Sequence, residues 1–121
     1  MNKLIVKLDR LFSIHIRSKD SKNGVVRCYT CATIDNWQNM DAGHYISRQY
    51  KAVRWDSRNV KPQCKSCNRF HEGMKDEFAL HLVKDYGPQI LEELNRAKWM
   101  IFKADELWLK DKIKEYDLSP L

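Results

Sequence analysis

The chain contains four cysteines, and they form two Cys-x2-Cys pairs, Cys28/Cys31 and Cys64/Cys67. Each pair can present two thiolates to one ion, and two pairs complete the tetrahedral four-sulfur shell that structural Zn²⁺ prefers. Because 32 residues separate the pairs, a shared ion would tie distant segments together and replace part of a hydrophobic core. Disulfides are the alternative, but the x2 spacing favours a metal. The pattern therefore predicts a fold organised around a structural zinc site.

The length of 121 residues suits a single domain with a modest core. Charged residues interrupt the apolar N-terminal run, and no stretch approaches the ~20 apolar residues of a membrane span. No signal peptide is recognisable. We therefore expect a soluble protein in a reducing compartment, the cytoplasm, with no membrane partner.

Positive charge is concentrated in the part of the chain that holds the cysteines. Residues 1–75 carry fifteen Lys or Arg against six Asp or Glu, whereas residues 76–121 carry seven against ten. This distribution is typical of a surface that binds the phosphates of a nucleic acid, although an ordinary solvated surface is the alternative. The predicted DNA-binding residues are Arg48, Lys51, Arg54, Arg58, Lys61, Lys65 and Arg69.

Apolar spacing predicts helices at both ends of the chain. Residues 3–17 read as an amphipathic helix in which His15 is a packing residue. A second helical stripe begins after residue 75 and ends at Gly87-Pro88. The apolar spacing over 89–116 predicts one further long helix, which either packs against the N-terminal helix or forms a homodimer seam.

Short strands are predicted between the helices. Residues 25–27 lead as a strand into the first cysteine pair, and a two-stranded region is expected around residues 43–46. Trp55 is predicted to be a core residue in a short second strand. The fold class is therefore α+β.

Three polar residues lie within or directly beside the segment that the cysteine pairs bracket: His44, Asn59 and Asn68. Phosphodiester hydrolysis needs a base with a pKa near neutrality, for which imidazole is suited, and a divalent ion held by oxygen ligands. A carbonyl group can hold the imidazole in one tautomer. His44 follows a glycine, where the backbone can approach a bulky ligand, and Asn68 directly follows a cysteine whose position zinc would fix. These residues are the predicted catalytic set.

The order of these motifs resembles the HNH, or ββα-metal, endonucleases in the form ending His-Asn-Asn. The fuller resemblance is to the phage NinG/Rap recombination nucleases, and it extends from about residue 8 to the C-terminal helices. It rests on the phrases Leu11-Phe12-Ser13, Ile16-Arg17, Cys28-Tyr29-Thr30-Cys31, Ala42-Gly43-His44-Tyr45, Arg54-Trp55, Asn59, Gln63-Cys64-Lys65-Ser66-Cys67-Asn68-Arg69 and Tyr86-Gly87. The resemblance implies a zinc-stapled nuclease that cuts branched recombination intermediates such as Holliday junctions and D-loops. It also implies recombination proteins as partners and, for a phage-encoded chain, the host cytoplasm.

The resemblance implies a role for each of the three polar residues. His44 corresponds to the general base, and Asn59 to the middle Asn, which holds the loop that carries the base and orients His44. Asn68 corresponds to the final position, where HNH proteins place a ligand for Mg²⁺, or Mn²⁺ in its place.

The acidic ligand departs from the HNH pattern. Many HNH proteins carry Asp immediately before the base, and that position is Gly43 here. Asp41 is the substitute, but its odd offset from His44 requires a turn or bulge at Gly43 to bring both to one face. His71, one helical turn after Asn68, is a further candidate ligand, or else a phosphate contact or a helix-packing residue.

We therefore predict one HNH-like nuclease domain over residues 1–121. An N-terminal helix lies in 1–20, the four-cysteine zinc site and a ββα-metal core in 25–75, and a C-terminal helical pair in 76–121. The predicted function is that of a Mg²⁺- or Mn²⁺-dependent, structure-selective DNA endonuclease. The alternatives are a non-catalytic zinc DNA-binding module that assists a recombinase or packaging machine, and a helical dimerisation adaptor whose cysteine pairs are purely architectural.

Overall fold

A computed structural model describes residues 2–117, which form a mixed α+β structure with two small sheets. Within these residues the α-helices are α1 Asn2–Ser18, α2 Lys51–Arg54, α3 Lys75–Tyr86, α4 Ile90–Lys98 and α5 Glu106–Tyr116. The strands are β1 Val25–Arg27, β2 Ile34–Asn36, β3 Asp41–His44 and β4 Val60–Gln63. A 3₁₀ turn, Trp37–Asn39, precedes β3, and a π-helical turn, Ser66–Phe70, follows β4.

Each sheet is one antiparallel pair. β1 pairs with β2, with Val26 opposite Asp35, and the first cysteine pair lies in the connection between them. β3 pairs with β4 in a continuous register that runs from Asp41 opposite Gln63 to His44 opposite Val60. β4 ends directly before the second cysteine pair, so each sheet positions one of the two pairs.

The predicted N-terminal helix is confirmed. The buried residues of α1 are Leu8, Leu11, Phe12 and Ile16, which recur at the three- and four-residue spacing of one helix face. They form a core with Trp55, Val60 and, from α5, Leu109 and Ile113. The His15 ring lies 4.8 Å from that of Tyr116, centroid to centroid, in agreement with a packing role.

The prediction of one long helix over 89–116 is wrong, because α4 ends at Lys98 and α5 begins only at Glu106. The Asp105 side chain caps α5 by accepting a hydrogen bond from the Trp108 backbone N–H at 2.9 Å. Because of this break, α4 and α5 pack into different hydrophobic cores. Ile90 and Leu94 pack with the apolar face of α3, whereas α5 packs on α1. Three helices, in place of the predicted pair, therefore follow residue 74 in the described chain.

The segment before β4 also differs from the prediction. Trp55 is buried as expected, but it follows the short helix α2 and not a strand. Ile90 and Leu94 are buried within the chain, whereas Ile101 and Leu107 of the same C-terminal region are exposed, so a homodimer through the C-terminal helices stays a prediction. Among residues 2–117, the helices are too short or too polar to cross a membrane.

Candidate functional site

The four cysteines converge as predicted. Their sulfur atoms all lie within 4.8 Å of one another, and the Sγ atoms of Cys31 and Cys64 are 3.7 Å apart. A tetrahedral Zn²⁺ site with Zn–S bonds of ~2.3 Å has sulfur–sulfur edges of about 3.8 Å. A disulfide would need about 2.05 Å, and all four cysteines are free. The cluster can therefore hold a structural metal such as zinc.

Backbone N–H groups surround the cysteine sulfurs. Cys64 N–H donates to Cys28 Sγ at 3.3 Å, and Cys67 N–H donates to Cys64 Sγ at 3.5 Å. Burial raises the pKa of Cys28, but hydrogen bonds from Cys64 N–H and the Thr30 hydroxyl, with further backbone bonds, lower it to about 6. Burial raises the pKa of Cys67 to about 12. At Cys28 the hydrogen-bond donors favour the thiolate form that metal binding requires. Four protein ligands leave no open position for a substrate.

Beside this cluster lies an open cleft of about 500 Å³. It is bounded by α1, β3, the segment from Ser47 to Arg54 and the π-helical turn. Its lining residues are Asp9, Phe12, Ser13, Asp41, Ala42, His44, Ser47, Arg48, Arg54, Asn68, Arg69 and Lys75. The cleft thus brings together three predicted site residues, Asp41, His44 and Asn68, and three of the predicted phosphate-binding arginines.

His44 ends β3 and is held in one tautomer. Its Nε2 lies 3.0 Å from the Arg54 carbonyl oxygen, which can only accept, so Nε2 carries the proton and Nδ1 the lone pair. Burial lowers the pKa of His44, and the Arg48 charge adds to this effect. The carbonyls of Arg54 and Ala42 and the Asp9 carboxylate oppose it without reversing it. The lowered pKa favours the neutral ring, which can accept a proton.

Asp41, at the other end of β3, is held by two residues of the π-helical turn. Asn68 Nδ2 donates to Asp41 Oδ2 at 2.9 Å, and Arg69 donates to both carboxylate oxygens, at 2.8 and 3.0 Å. Burial raises the pKa of Asp41, but the hydrogen bonds from Arg69 and Asn68 outweigh it and lower the pKa overall. A carboxylate and an amide are therefore adjacent, with the guanidinium of Arg69 as the present counter-charge.

β3 reaches the cleft without a bulge at Gly43. Its pairing with β4 is regular at all four positions, so the turn or bulge that we considered necessary for Asp41 and His44 to share one face is absent. Asp41 and His44 nevertheless line the same cleft, because the cleft runs along β3 from one end to the other.

Gly43 is explained by packing within the chain. A Cβ atom at this position would lie 1.8 Å from Oε1 of Gln63, a fully buried side chain. Gln63 Nε2 is fixed by the Thr30 hydroxyl at 3.1 Å and the Gly73 carbonyl at 2.9 Å. The backbone therefore approaches a neighbouring side chain here, and an aspartate at 43 would not fit.

Asn59 is fully buried and holds the loop between β3 and α2. Its Oδ1 accepts from Ile46 N–H at 2.8 Å, and its Nδ2 donates to the carbonyls of Ile46 at 3.0 Å and Val53 at 3.1 Å. The carbonyl that orients His44 belongs to Arg54, the residue after Val53. Asn59 thus holds the loop, as the resemblance implies, and acts on His44 only through the backbone.

The predicted phosphate-binding residues divide into two groups. Arg48, Lys51, Lys65 and Arg69 are exposed, although Arg48 also contacts Asp9 and Arg69 is paired with Asp41. Arg54 is paired with Asp9, Arg58 with Asp56 and Glu93, and the Lys61 ammonium donates to the Tyr86 hydroxyl. Because Lys61 is only 8% exposed, its charge is not presented to a ligand. His71 is exposed and does not contribute to the cleft lining.

Two charged residues of the cleft were not among the predicted site residues. Asp9 on α1 accepts hydrogen bonds from Arg54, Arg48 and the Trp55 indole, so it anchors the segment that carries the His44 contact. Lys75 donates to the carbonyls of His44 and Tyr45. Burial lowers the pKa of Lys75. The one available signal was the position of Asp9 next to Leu8 and three residues before Phe12, at the border of the buried stripe.

Fold and site together define a mixed α+β protein with a four-cysteine cluster that can hold a structural metal, beside a basic, polar cleft. The chain belongs to the NinG family of phage proteins, because the family model described as Bacteriophage Lambda NinG protein matches residues 1–118.

Individual relatives agree with this family. Protein ninG of Escherichia phage 933W is 29% identical over 96 residues, covering 75% of this chain and 47% of that protein. Protein ninG of Escherichia phage lambda is 30% identical over 95 residues, covering 73% and 46%. The chain thus spans about half the length of the curated relatives it matches. No solved structure matches it at a significant level.

Proposed function

We propose that this protein is an HNH-type, metal-dependent DNA endonuclease that acts on branched recombination intermediates such as Holliday junctions and D-loops. The observation that carries the proposal is that one basic cleft is lined by His44, held in a single tautomer, and by Asp41 and Asn68, whose side chains contact each other. The antiparallel β3–β4 pair followed by the π-helical turn is consistent with a compact ββα-metal core.

In the proposed reaction, His44 Nδ1 removes a proton from water as the water oxygen forms a bond to phosphorus. The bond from phosphorus to the 3′-oxygen breaks, and solvent supplies a proton to the leaving oxygen. The Arg54 carbonyl holds the Nε2 proton and stabilises the imidazolium that forms. Arg48 and Arg69, at the rim of the cleft, position the phosphate through charge.

Asp41 and Asn68 are the residues that would hold a catalytic Mg²⁺ or Mn²⁺. Carboxylate and amide oxygens are the donor set that these hard cations prefer, and the two side chains already contact each other. Such an ion supplies charge stabilisation at the scissile phosphate. The Asp41–Arg69 ion pair would have to open for the ion to bind.

That ion pair also favours a second candidate function, the non-catalytic DNA-binding module. If Arg69 stays paired with Asp41 when DNA binds, the cleft contains a base and cationic side chains but no divalent metal ion. It can then bind a phosphate without cleaving the DNA. In this case the protein would assist a recombinase or a packaging machine.

One experiment separates the two functions. The protein is incubated with a four-way junction, a linear duplex and a single strand of matched sequence, each in Mg²⁺, Mn²⁺ or EDTA. The nuclease function predicts cleavage of the junction in Mg²⁺ or Mn²⁺ and none in EDTA. Junction binding without cleavage under every condition would support the binding module instead.

A further inference from the structure

A short apolar segment between α4 and α5 is exposed. Trp99 and Met100 are each 67% exposed, and Ile101 is 92% exposed. Three consecutive large apolar side chains in water are unfavourable unless something covers them, so an exposed segment of this kind marks an interaction surface.

Trp99 is held against a second ring from the segment that borders the cleft. Its ring lies 5.6 Å from that of Tyr50, centroid to centroid, at an interplanar angle of 73°. The Lys98 ammonium lies 4.5 Å from the Tyr50 ring and 4.7 Å from the Trp99 ring. Because Tyr50 precedes α2, Trp99 follows α4 and these helices pack together, the rings are positioned by the fold.

This pair of rings, the Tyr50–Trp99 platform, lies next to the cleft. Tyr50 N–H donates to the Ser47 carbonyl at 3.1 Å, which closes a tight turn. Ser47 and Arg48, in the same turn, line the cleft that contains His44. A strand whose phosphate lies in the cleft would therefore have its neighbouring nucleotides beside the platform.

The surrounding charge favours a polyanion as the ligand. Lys98 contacts both rings, and Arg48 and Lys51 are exposed on the same segment as Tyr50. The acidic residues of α4 are already paired, Glu92 with Arg96 and Glu93 with Arg58. Aromatic faces combined with lysines fit unpaired nucleobases, since stacking supplies affinity and the cations follow the phosphates. Three apolar residues are also far fewer than a stable protein interface needs.

We propose that the Tyr50–Trp99 platform binds an unpaired nucleobase of DNA whose phosphate backbone enters the His44 cleft. This proposal rests on DNA as the ligand of the proposed function but not on catalysis. It gives the protein a physical basis for preferring branched or frayed DNA, because a continuous duplex offers no free base face to stack.

The test measures Kd in EDTA, where no cleavage can occur, for the wild-type protein and three variants. The probes are a fluorescein-labelled oligothymidine and a blunt duplex. Stacking on one base contributes enough that Trp99→Ala should raise the Kd for oligothymidine about tenfold or more while leaving the duplex Kd unchanged. Trp99→Phe keeps an aromatic face and should retain most of the affinity. Ile101→Ala removes a neighbouring exposed apolar side chain and should have no effect.

Three outcomes overturn the platform: a wild-type protein that does not bind oligothymidine, a Trp99→Ala variant with unchanged Kd, or equal losses on both probes. Sedimentation adds a fourth, because dissociation of a wild-type dimer by Trp99→Ala would identify a second copy as the occupant. If Trp99→Ala loses oligothymidine binding and the wild-type protein cleaves no DNA, the base-binding role of the platform is supported and the nuclease function is refuted. If the wild-type protein cleaves the junction and Trp99→Ala binds oligothymidine with unchanged Kd, the nuclease function is supported and the base-binding role of the platform is refuted.

Discussion

Replacing Asn59 by alanine should destabilise the protein and loosen the loop between β3 and α2. The side chain is fully buried and makes three hydrogen bonds, two to Ile46 and one to Val53. Its removal leaves the N–H and the carbonyl of Ile46 without their partners, and each buried unpaired group costs ~1–3 kcal/mol. The Val53 carbonyl still accepts a hydrogen bond from Asp56 N–H at 3.4 Å. Water entering the small cavity can recover part of this cost. We expect Asn59→Ala to lower the free energy of unfolding by about 3–5 kcal/mol, a large share of the 5–15 kcal/mol typical of a domain.

The assay is denaturant unfolding at one fixed Zn²⁺ concentration, because metal binding contributes to the measured stability. Asn39→Ala is the matched control, since Asn39 is exposed and its side chain contacts only the neighbouring Asp35. Its effect should stay within about 0.5 kcal/mol. A loss below about 1 kcal/mol for Asn59→Ala would refute the view that this side chain holds the loop.

Asn59→Asp sharpens the test through pH. The carboxylate keeps the acceptor for Ile46 N–H but faces the Ile46 and Val53 carbonyls with no hydrogen to donate. Burial against carbonyls raises the pKa of the introduced acid, so the penalty is present at neutral pH and decreases as pH falls and the acid becomes protonated. The loss of unfolding free energy of the variant relative to wild type should therefore be smaller at pH 5 than at pH 7. A pH-independent difference would contradict the proposed contacts.

Three further predictions concern the metal cluster, the basic surface and the close contact under β3. Cys64→Ser should lose stoichiometric zinc and most of the cooperative melting transition together, and unchanged melting with no bound metal would contradict a structural role. Lys51→Ala should reduce the slope of log K against log salt for duplex binding by about 0.9. Lys110→Ala, in the acidic C-terminal part, should leave this slope unchanged. Equal effects of the two substitutions would mean that the basic half is not the binding face. Gly43→Ala should destabilise the fold by about 1–3 kcal/mol, because its Cβ would lie 1.8 Å from Gln63 Oε1, and denaturant unfolding of wild-type stability would show that Gln63 can move.

The parts of the fold that sequence could predict are those that one local pattern determines. The spacing of Leu8, Leu11, Phe12 and Ile16 predicts α1, and Gly87, at φ 96°, ends α3 as expected. The cysteine spacing predicts a cluster that the structure assembles from distant segments. In each case, residue type and spacing along the chain are enough to indicate the structural feature.

The remainder depends on which surface a residue meets, and sequence does not record that. The apolar spacing of α4 continues into α5, although the two helices pack on different cores, so only the Asp105 cap marks the break. Lys51 and Lys61 look alike in sequence, but one is exposed and the other lies against tyrosine rings. The carbonyl that orients His44 belongs to Arg54, and a backbone contact leaves no side-chain signature.

The environment of His44 predicts the pH dependence of any cleavage. Burial lowers the pKa of His44, and a general base works in its neutral form. The midpoint of the fall in single-turnover rate, as the ring becomes protonated, should therefore lie below pH 6.5, the ordinary histidine value. A rate that already declines between pH 8 and pH 7 would mean that a different group supplies the base.

The most direct test of the account is the single-turnover cleavage rate of a four-way junction by His44→Ala, compared with wild type at saturating protein. If Nδ1 of His44 accepts the proton of the attacking water, the variant should be slower by ~10²–10⁴-fold. Its zinc content and its junction Kd in EDTA should match wild type, because His44 lies outside the cysteine cluster and presents no charge to DNA at neutral pH. A His44→Ala protein that cuts the junction at the wild-type rate would contradict the catalytic role of this cleft.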